Sequence, residues 1–537
     1  MAEQARIPRW YNYWGWGSGD MLGAGAQAVI TGWLFYFFTT FCDLTPVEAG
    51  LILGLPRLLE AITCPLIGYL SDNLRHTWIG RRIGRRKIFL LITIPLLPSF
   101  ALIFVSGQTF AYYLTAFIVF ELLYTMFLIP WETLAAEMTR DYKAKARFAG
   151  ARILTGQASA ILASYLPTLI ITNFGGKDSA QTFLIMAVIF GLIFSLVVTL
   201  VVCFSWERPY TDEEKARIAP PFDARTALLM PVRMFRDLFS TLRIRAFRQH
   251  LSIYLGGYIS QDIFNTAFPI FVTTVMLGAT VMISQMMTTM YVAQLISVMI
   301  AIQLVIRIGP VAAYRIAIAL FGSALLMLLA YYAFRPVTGG PDLWAALTSP
   351  WAALWLLGPV LLAGLGRGTL NFVPWSVYNY LPDVDEAVTG QRREGIFAGV
   401  MTLVRKVAQS GAIIATGWII QAGGYVSPRD APAGQTLVQS PEAVATVAWL
   451  LVAGPLLVMV AGLLLSWRFR LNARTHAVLM DEIERLRAGA RQPSSLAAGA
   501  IVEDLTGWSF DRLWGCNGLT SSQPSEPLDP GPGGQQT

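Results

Sequence analysis

Long apolar runs alternate along the chain with short polar connections, and this pattern predicts its elements. About twelve of the runs have roughly 20 residues or more, which is enough for a helix to cross hydrocarbon about 30 Å thick. A helix is needed because lipid offers the backbone no hydrogen bonds. We expect spans at 14–41, 47–71, 87–106, 109–136, 148–172, 181–205, 248–276, 281–306, 312–334, 351–380, 396–422 and 443–467. The pattern therefore predicts an all-α polytopic membrane protein with twelve transmembrane helices.

A polar stretch at 206–247 divides these spans into two groups of six. We expect an N-terminal six-helix bundle at 1–205, a cytoplasmic middle loop at 206–247 and a C-terminal six-helix bundle at 248–468. The remaining residues, 469–537, form a predicted cytoplasmic tail. It begins with the charged helical segment DEIERLRAGAR and ends in a stretch rich in Pro, Gly and polar residues, which favours disorder.

Composition and charge agree with a membrane protein and indicate its orientation. Hydrophobic residues make up 55% of the chain and charged residues only 14%, too few to cover several soluble domains. The formal net charge of +7 does not indicate nucleic acid, because Lys and Arg are concentrated in the connections between spans. Those after the second and fourth spans and the middle loop are the most basic. We therefore expect both termini on the cytoplasmic side of the plasma (inner) membrane.

Several kinds of functional site have no sequence signal here. The four cysteines and three histidines are scattered, which argues against a metal site or a disulfide framework. Walker, nucleophile-elbow and HExxH motifs are missing, so we expect neither an ATP-driven pump nor an enzyme. We expect no cofactor beyond a coupling cation. The expected partners are a small-molecule substrate and the lipid bilayer, and the protein is expected to be a monomer.

Ionisable residues inside the spans are the main functional candidates, because each costs at least about 2.5–3.5 kcal/mol near the bilayer centre. In PRLLEAITCP, helical spacing places Arg57, Glu60, Thr63 and Cys64 on one face. Glu60 either carries a proton or forms a structural pair with Arg57. The other candidates are Asp20, Glu121, Glu132, Arg152, Asp262, Arg367 and Lys406. Among the aromatic residues, Trp131 and Trp375 are the ones that we expect to stack on a sugar ring.

The two halves also echo each other in sequence. GYLSDN at 68–73 and GRRK at 84–87 lie between the second and third spans, and the weaker counterpart RIGPVAAYR at 307–315 lies between the eighth and ninth. The first of these loops resembles the signature of the major facilitator superfamily. The resemblance implies the major facilitator fold, in which a substrate cavity lies between two six-helix bundles near the midplane. Asp72 is the acidic residue of this loop.

Three longer stretches resemble the glycoside–pentoside–hexuronide:cation symporters, the melibiose-permease-like branch of that superfamily. They are PRLLEAITCPLIGYLSD, PWETLAAEMTRDYKAKARFAGAR and PWSVYNYLPDVDEAVTGQRREGIFAGVMTLVRK, and the likeness covers about residues 10 to 470. It implies cation-coupled transport by alternating access, with Arg152 and Lys406 as gate or coupling charges. The same stretches hold Glu137, Asp141 and Arg393.

The departures from that family pattern bear on the coupling ion. The two second-span aspartates of its sodium site correspond here to Glu60 and Cys64, and its sugar-binding aspartates fall on Ala24 and Leu128. Sodium requires several hard oxygen ligands, and Cys64 removes one of them. A single buried carboxyl group is able to carry a proton but not to enclose sodium. We therefore expect proton coupling rather than sodium coupling.

The sequence thus predicts a symporter for a small polar solute, a sugar or glycoside. The alternatives are a transporter of an amphipathic solute such as a lysolipid, and a sensor or scaffold that no longer transports and acts through its tail. The predicted substrate-binding residues are Asp20, Trp131, Arg152, Trp375 and Lys406. The predicted cation-coupling residues are Glu60, Thr63 and Cys64, and the predicted gating residues are Arg57, Asp72, Glu137, Asp141 and Arg393.

Overall fold

The described part of the chain contains twelve long helices, arranged as two bundles of six. The structure, a computed structural model, describes residues 7–74, 78–139, 142–173, 179–207, 240–337, 342–378, 380–390, 394–427, 439–467 and 469–514. The N-terminal half contains α1 (Trp10–Phe41), α2 (Pro46–Asn73), α3 (Lys87–Phe104), α4 (Phe110–Met138), α5 (Tyr142–Asn173) and α6 (Ala180–Phe204). The C-terminal half contains α7 (Arg245–Thr274), α8 (Thr280–Ile308), α9 (Pro310–Phe334), α10 (Pro350–Tyr378), α11 (Glu394–Ala422) and α12 (Pro441–Leu465).

Ten helices in the described part of the chain are long and apolar enough to cross a membrane. The two long helices outside that group are α7 and α11. They carry polar residues in the membrane-spanning part, the buried Asp262 on α7 and the half-buried Arg405 and Lys406 and buried Gln409 on α11, which lower their mean hydropathy. All twelve predicted spans are therefore present as helices, and α7 and α11 carry three of the central charged residues.

Local sequence explains where several helices begin and bend. Thr45 caps α2 in a reciprocal arrangement with Glu48, and Pro46 occupies the first helical position. Gly309 joins α8 to α9 with φ of 84°, a conformation that favours glycine. The first span is interrupted at 18–19 and contains a π-helical turn at Ile30–Leu34, so it bends rather than running straight.

The two halves meet closely at one end of the molecule, which we call the tight end and which contains the connections 42–45, 275–279 and 423–427. Helix α2 packs there on α11, and α5 packs on α8. Ser164 of α5 bonds Thr288 of α8 at 2.9 Å, and Thr168 donates to Ser284 at 2.7 Å. The opposite end, which contains residues 78–87 and the start of α7, is called the basic end.

Part of the predicted tail is folded against the C-terminal half. Two helices, α13 (Ala473–Arg487) and α14 (Leu496–Thr506), follow α12, and the second of them is absent from the sequence prediction. His476 contacts Asp383 at 2.8 Å, and Arg245 at the start of α7 pairs with Asp504 at 2.7 Å. The tail therefore holds together the start of α7 and the short helix Leu381–Thr389 that connects α10 to α11.

Candidate substrate and coupling site

The central contact between the halves is an ion pair between Glu60 of α2 and Lys406 of α11. The two residues lie 346 positions apart in the chain. The Glu60 side chain is fully buried, and that of Lys406 is 15% exposed. A buried charge pair of this kind is stable only while both partners remain in place, because either one alone would leave an uncompensated charge. The strength of this contact between the halves therefore depends on whether the Glu60 carboxyl group is charged.

Arg57 takes part in a second connection between the halves, one turn from Glu60. Its Nη1 donates to the side-chain oxygens of Gln27 at 3.1 Å and Gln409 at 3.0 Å. Gln409 in turn donates to Asp262 at 3.1 Å, and Asp262 forms an ion pair with Arg405 at 2.6 Å. Arg57 itself is 1% exposed, and its Nε and Nη2 have no hydrogen-bond partner among the described residues. Among the described residues, the hydrogen-bond partners of this buried guanidinium are therefore two neutral amide groups.

The Arg57–Glu60 pair that the sequence suggested as a structural alternative is not formed in this conformation. Glu60 instead pairs with Lys406, and Arg57 bonds two glutamine side chains. The two residues are three positions apart on α2, so they remain close enough to pair when their present partners move away. The difference has a simple cause, since both residues face the other half and find partners on α11.

Three more side chains lie close to Glu60, those of Glu121, Cys64 and Thr63. Glu121 of α4 is buried beside it, so two carboxyl groups face the amino group of Lys406. Cys64 is buried one turn further along α2, near the same charges. Thr63 is half-buried and donates to the backbone carbonyl of Glu60 at 3.3 Å. The predicted coupling residues therefore lie together, with Glu121 as an added carboxyl group.

A second cluster lies in the N-terminal half. Arg152 of α5 lies 3.4 Å from a carboxylate oxygen of Asp20 on α1 and 2.8 Å from Glu132 on α4. Its guanidinium also covers the ring of Trp131 at 4.7 Å. The side chains of Arg152 and Glu132 are 36% and 40% exposed, so water reaches this cluster. Three helices thus bring two carboxyl groups and one cation to a single accessible place.

Trp131 is completely buried beneath this cluster. Its ring stacks on Trp16 at 5.1 Å and on Phe127 at 5.5 Å, and its Nε1 donates to the Trp16 carbonyl at 2.8 Å. Arg152 lies over the ring as well. In this conformation Trp131 therefore supports the arginine and presents no open face for a sugar.

Trp375 of α10 has the exposed ring that we expected of a sugar-stacking residue. It is 48% exposed, and its Nε1 donates to Tyr258 of α7 at 2.9 Å. Tyr254 lies edge-on to it at 6.0 Å, and Arg405 lies over the Tyr258 ring at 5.1 Å. The C-terminal half therefore offers an aromatic surface connected, through Arg405, to the central charges.

Apart from Arg57, the predicted gating residue whose side chain the structure describes is Glu137, and it does not belong to the central contact. Glu137 at the end of α4 pairs with Arg85 and Arg86 before α3. The carboxylate of Glu207 accepts the backbone N–H groups of residues 85–87, at 2.8 to 3.0 Å, and so caps the start of α3. Asp72 lies within α2, but its side chain is outside the described part of the structure. Asp141 and Arg393 are outside the described residues.

Two of the central connecting groups could not be recognised from single positions in the sequence. Gln409 is three residues after Lys406, and Gln27 lies in the first span, but a lone amide inside a span gives little signal. Their role is to accept the two hydrogen bonds that Arg57 donates. A search for polar residues at helical spacing around Lys406 would have found Gln409 and Arg405 together.

Comparison with known proteins identifies the family of the chain. The family described as MFS/sugar transport protein matches residues 15–473. An uncharacterized symporter of Synechocystis sp. is 23% identical over 87% of this chain and 95% of its own length. The glucuronide carrier protein homolog of Escherichia coli strain K12 is 22% identical over 93% of this chain and 98% of its own.

Solved structures share the fold. A D-xylose–proton symporter has a TM-score of 0.56 at 12% identity, covering 83% of this chain and 96% of its own. The nucleoside transporter NupG has a TM-score of 0.56 at 15% identity, covering 85% and 99%. The two-bundle architecture predicted from the sequence is confirmed, and the relatives are transporters rather than enzymes. The chain belongs to the MFS/sugar transport protein family of the major facilitator superfamily and is a multi-pass secondary transporter.

Proposed function

We propose that the protein is a proton-coupled symporter for a sugar or glycoside. The observation that carries this proposal is the buried contact of Glu60 with Lys406 across the two halves, with Glu121 beside it. Two adjacent carboxylates repel each other, and one proton on the pair relieves that repulsion. Two carboxyl groups beside one lysine can share a proton, whereas the ammonium group of Lys406 repels a sodium ion at the same place.

Proton binding is coupled to motion through Lys406. When the tight end opens, α11 leaves α2, and Lys406 is withdrawn from Glu60. A carboxylate left behind in the protein interior is costly, whereas a protonated carboxyl group is tolerated. Arg57 loses Gln409 in the same step and is then free to pair with Glu60, three residues away on the same helix. Arg57 thereby acts as the gating residue that the sequence suggested.

The solute is proposed to bind between the two polar clusters. Asp20, Arg152 and Glu132 offer hydrogen-bonding groups from the N-terminal half, and Trp375 offers a ring face from the C-terminal half. Sugars are recognised by this combination, because hydroxyl groups bond carboxylates and guanidinium groups while ring C–H groups pack on aromatic faces. The printed name of the glucuronide carrier relative is consistent with a glycoside.

The conformation is proposed to be inward-facing. The hydrogen bonds that join α5 to α8 and α2 to α11 lie at the tight end and at the midplane. The basic end carries the arginines that the positive-inside rule assigns to the cytoplasm. The accessible cluster of Arg152 and Glu132 then opens towards the cytoplasm, and both termini lie on that side of the plasma membrane.

Replacement of Glu60 tests the coupling directly. A thermal-shift panel of glycosides, uronates and lysolipids first identifies a ligand, because specific ligands raise apparent stability. In proteoliposomes, Glu60→Gln is expected to abolish uptake driven by a pH gradient while exchange of labelled ligand across the membrane continues. The matched control is Glu48→Gln on the same helix, which keeps its capping hydrogen bond at the tight end and should leave both activities intact.

Three outcomes would count against this proposal. Uptake by Glu60→Gln that follows the pH gradient as in the unaltered protein would remove Glu60 from the coupling. Uptake that follows a sodium gradient at constant pH would replace the proton with sodium. A panel response confined to lysolipids would favour the amphipathic solute over the glycoside.

A further inference from the structure

A cavity at the basic end lies between the first turns of α7 and the last turn of α12, away from the central site. Its volume is about 560 Å³, and it is lined by Arg245, Gln249, Leu464, Leu465 and Trp467. The two leucines and the tryptophan are all more than half exposed. The cavity is therefore apolar on the side of α12 and polar on the side of α7, as a site at the boundary between membrane and water would be.

Two further arginines lie near residues that line the cavity. Arg315 of α9 lies over the Trp467 ring at 4.7 Å. It is exposed, and it forms no ion pair with the described part of the chain. Arg470, three residues after Trp467, has a side chain that is 73% exposed, and its ion pair within the described residues is with Asp504, at 3.8 Å.

One carboxylate offsets these cations only in part. Asp504 of the docked tail is shared by Arg245 at 2.7 Å and Arg470 at 3.8 Å. Three guanidinium groups, those of Arg245, Arg315 and Arg470, therefore lie in or next to the lining of the cavity. In the ion pairs of the described residues, one carboxylate, that of Asp504, balances them. Guanidinium groups bind phosphate in a bidentate manner, so an anion with oxygen acceptors is the complementary ligand.

We propose that this cavity binds the phosphate headgroup of an anionic phospholipid. The phosphate would lie among Arg245, Arg315 and Arg470, and the acyl chains would follow the exposed surfaces of Leu464 and Leu465. A lipid is favoured over a free anion because the apolar wall of the cavity continues along the exposed apolar face of α12. An acyl chain can pack on that face, whereas a free anion cannot. Basic pockets between transmembrane helices recognise anionic lipids on the same physical basis.

The site also connects the docked tail to the membrane. Arg470 and Asp504 belong to the tail, whereas Arg315, Gln249 and Trp467 belong to or directly follow the spanning helices. A bound phosphate between the two groups would reduce the repulsion among the three arginines and hold the tail against α7 and α12. This role is independent of substrate binding and of Glu60.

Native mass spectrometry of the full-length protein tests the site. The protein is titrated in detergent with dioleoyl-phosphatidylglycerol and, separately, with dioleoyl-phosphatidylcholine. The unaltered protein is expected to retain one phosphatidylglycerol more tightly than phosphatidylcholine. Affinity is expected to fall about fivefold for each arginine removed, and thus about 25-fold in Arg315→Gln with Arg470→Gln. Both side chains are exposed, so their replacement leaves the fold intact.

The matched control is Arg307→Gln, an exposed arginine in the last turn of α8 at the same end of the molecule but outside the cavity. It should bind phosphatidylglycerol like the unaltered protein. The proposal is overturned if the double variant keeps full affinity, or if phosphatidylcholine binds equally well. Displacement of phosphatidylglycerol by millimolar inorganic phosphate would also overturn it, because the site would then be one for a free anion.

Discussion

At the residue scale, the central site depends on charges that have been taken out of water and must find partners. Glu60 pairs with Lys406, and Asp262 pairs with Arg405. Arg57 donates hydrogen bonds to two side-chain amide oxygens. Removing one member of a buried pair is more damaging than removing both, because the remaining charge is then uncompensated. The stability of the resting conformation is therefore sensitive to single substitutions at these positions.

Lys406→Met provides a test at this scale. It should lower the free energy of unfolding by about 3–5 kcal/mol, since Glu60 stays buried without its cation. The double variant Lys406→Met with Glu60→Gln should recover most of that loss, because no lone charge remains. Thermal unfolding in detergent measures both. Equal losses in the single and double variants would show that the lysine stabilises the protein by packing rather than by its pair.

The sequence allowed the individual candidates to be recognised but not their partners. Glu60, Lys406, Asp20 and Arg152 were identified because charges are rare inside apolar runs. The Glu60–Lys406 contact joins residues 346 positions apart, which no local spacing encodes. Local spacing instead suggested Arg57 as the partner of Glu60. Trp131 is one of the two residues that the sequence predicts to stack on a sugar ring. Arg152 covers that ring here, so it becomes accessible only when Arg152 moves.

At the element scale, closure of the tight end depends on small residues between α2 and α11. A side chain at Gly417 would place its Cβ 2.3 Å from the backbone carbonyl oxygen of Pro46. Gly50 and Gly54 of α2 are similarly close to α11, so the two helices approach through their glycines. Helix order and number followed from the apolar runs, whereas α14 was missed because its surroundings in the tail resemble a disordered segment.

Gly417→Val should therefore prevent the tight end from closing. The expected result is a protein that favours the conformation open at this end, because the backbone of α2 cannot retreat without separating the helices. Labelling of a cysteine placed at Ser164 by a membrane-impermeant maleimide should increase severalfold. Gly411→Val on the same helix is the control, since its Cβ would meet nothing within 4 Å. Equal labelling of both variants would contradict the packing argument.

At the scale of the whole molecule, we propose that the two bundles separate at the tight end and close at the basic end in each transport cycle. The connection rests on pairs that cross between the halves, such as Ser164 with Thr288 at 2.9 Å. The bundles themselves are held by pairs within one half, such as Ser297 with Thr369 at 3.1 Å. Only the first kind of contact should break during transport.

Crosslinking in a background without the native cysteines tests this claim most directly. A disulfide between Ser164→Cys and Thr288→Cys should abolish net uptake into proteoliposomes, and reduction should restore it, because the tight end is then unable to open. A disulfide between Ser297→Cys and Thr369→Cys, within one half, should leave uptake unchanged. Full uptake by the protein that is crosslinked at Ser164 and Thr288 would contradict alternating access through this end.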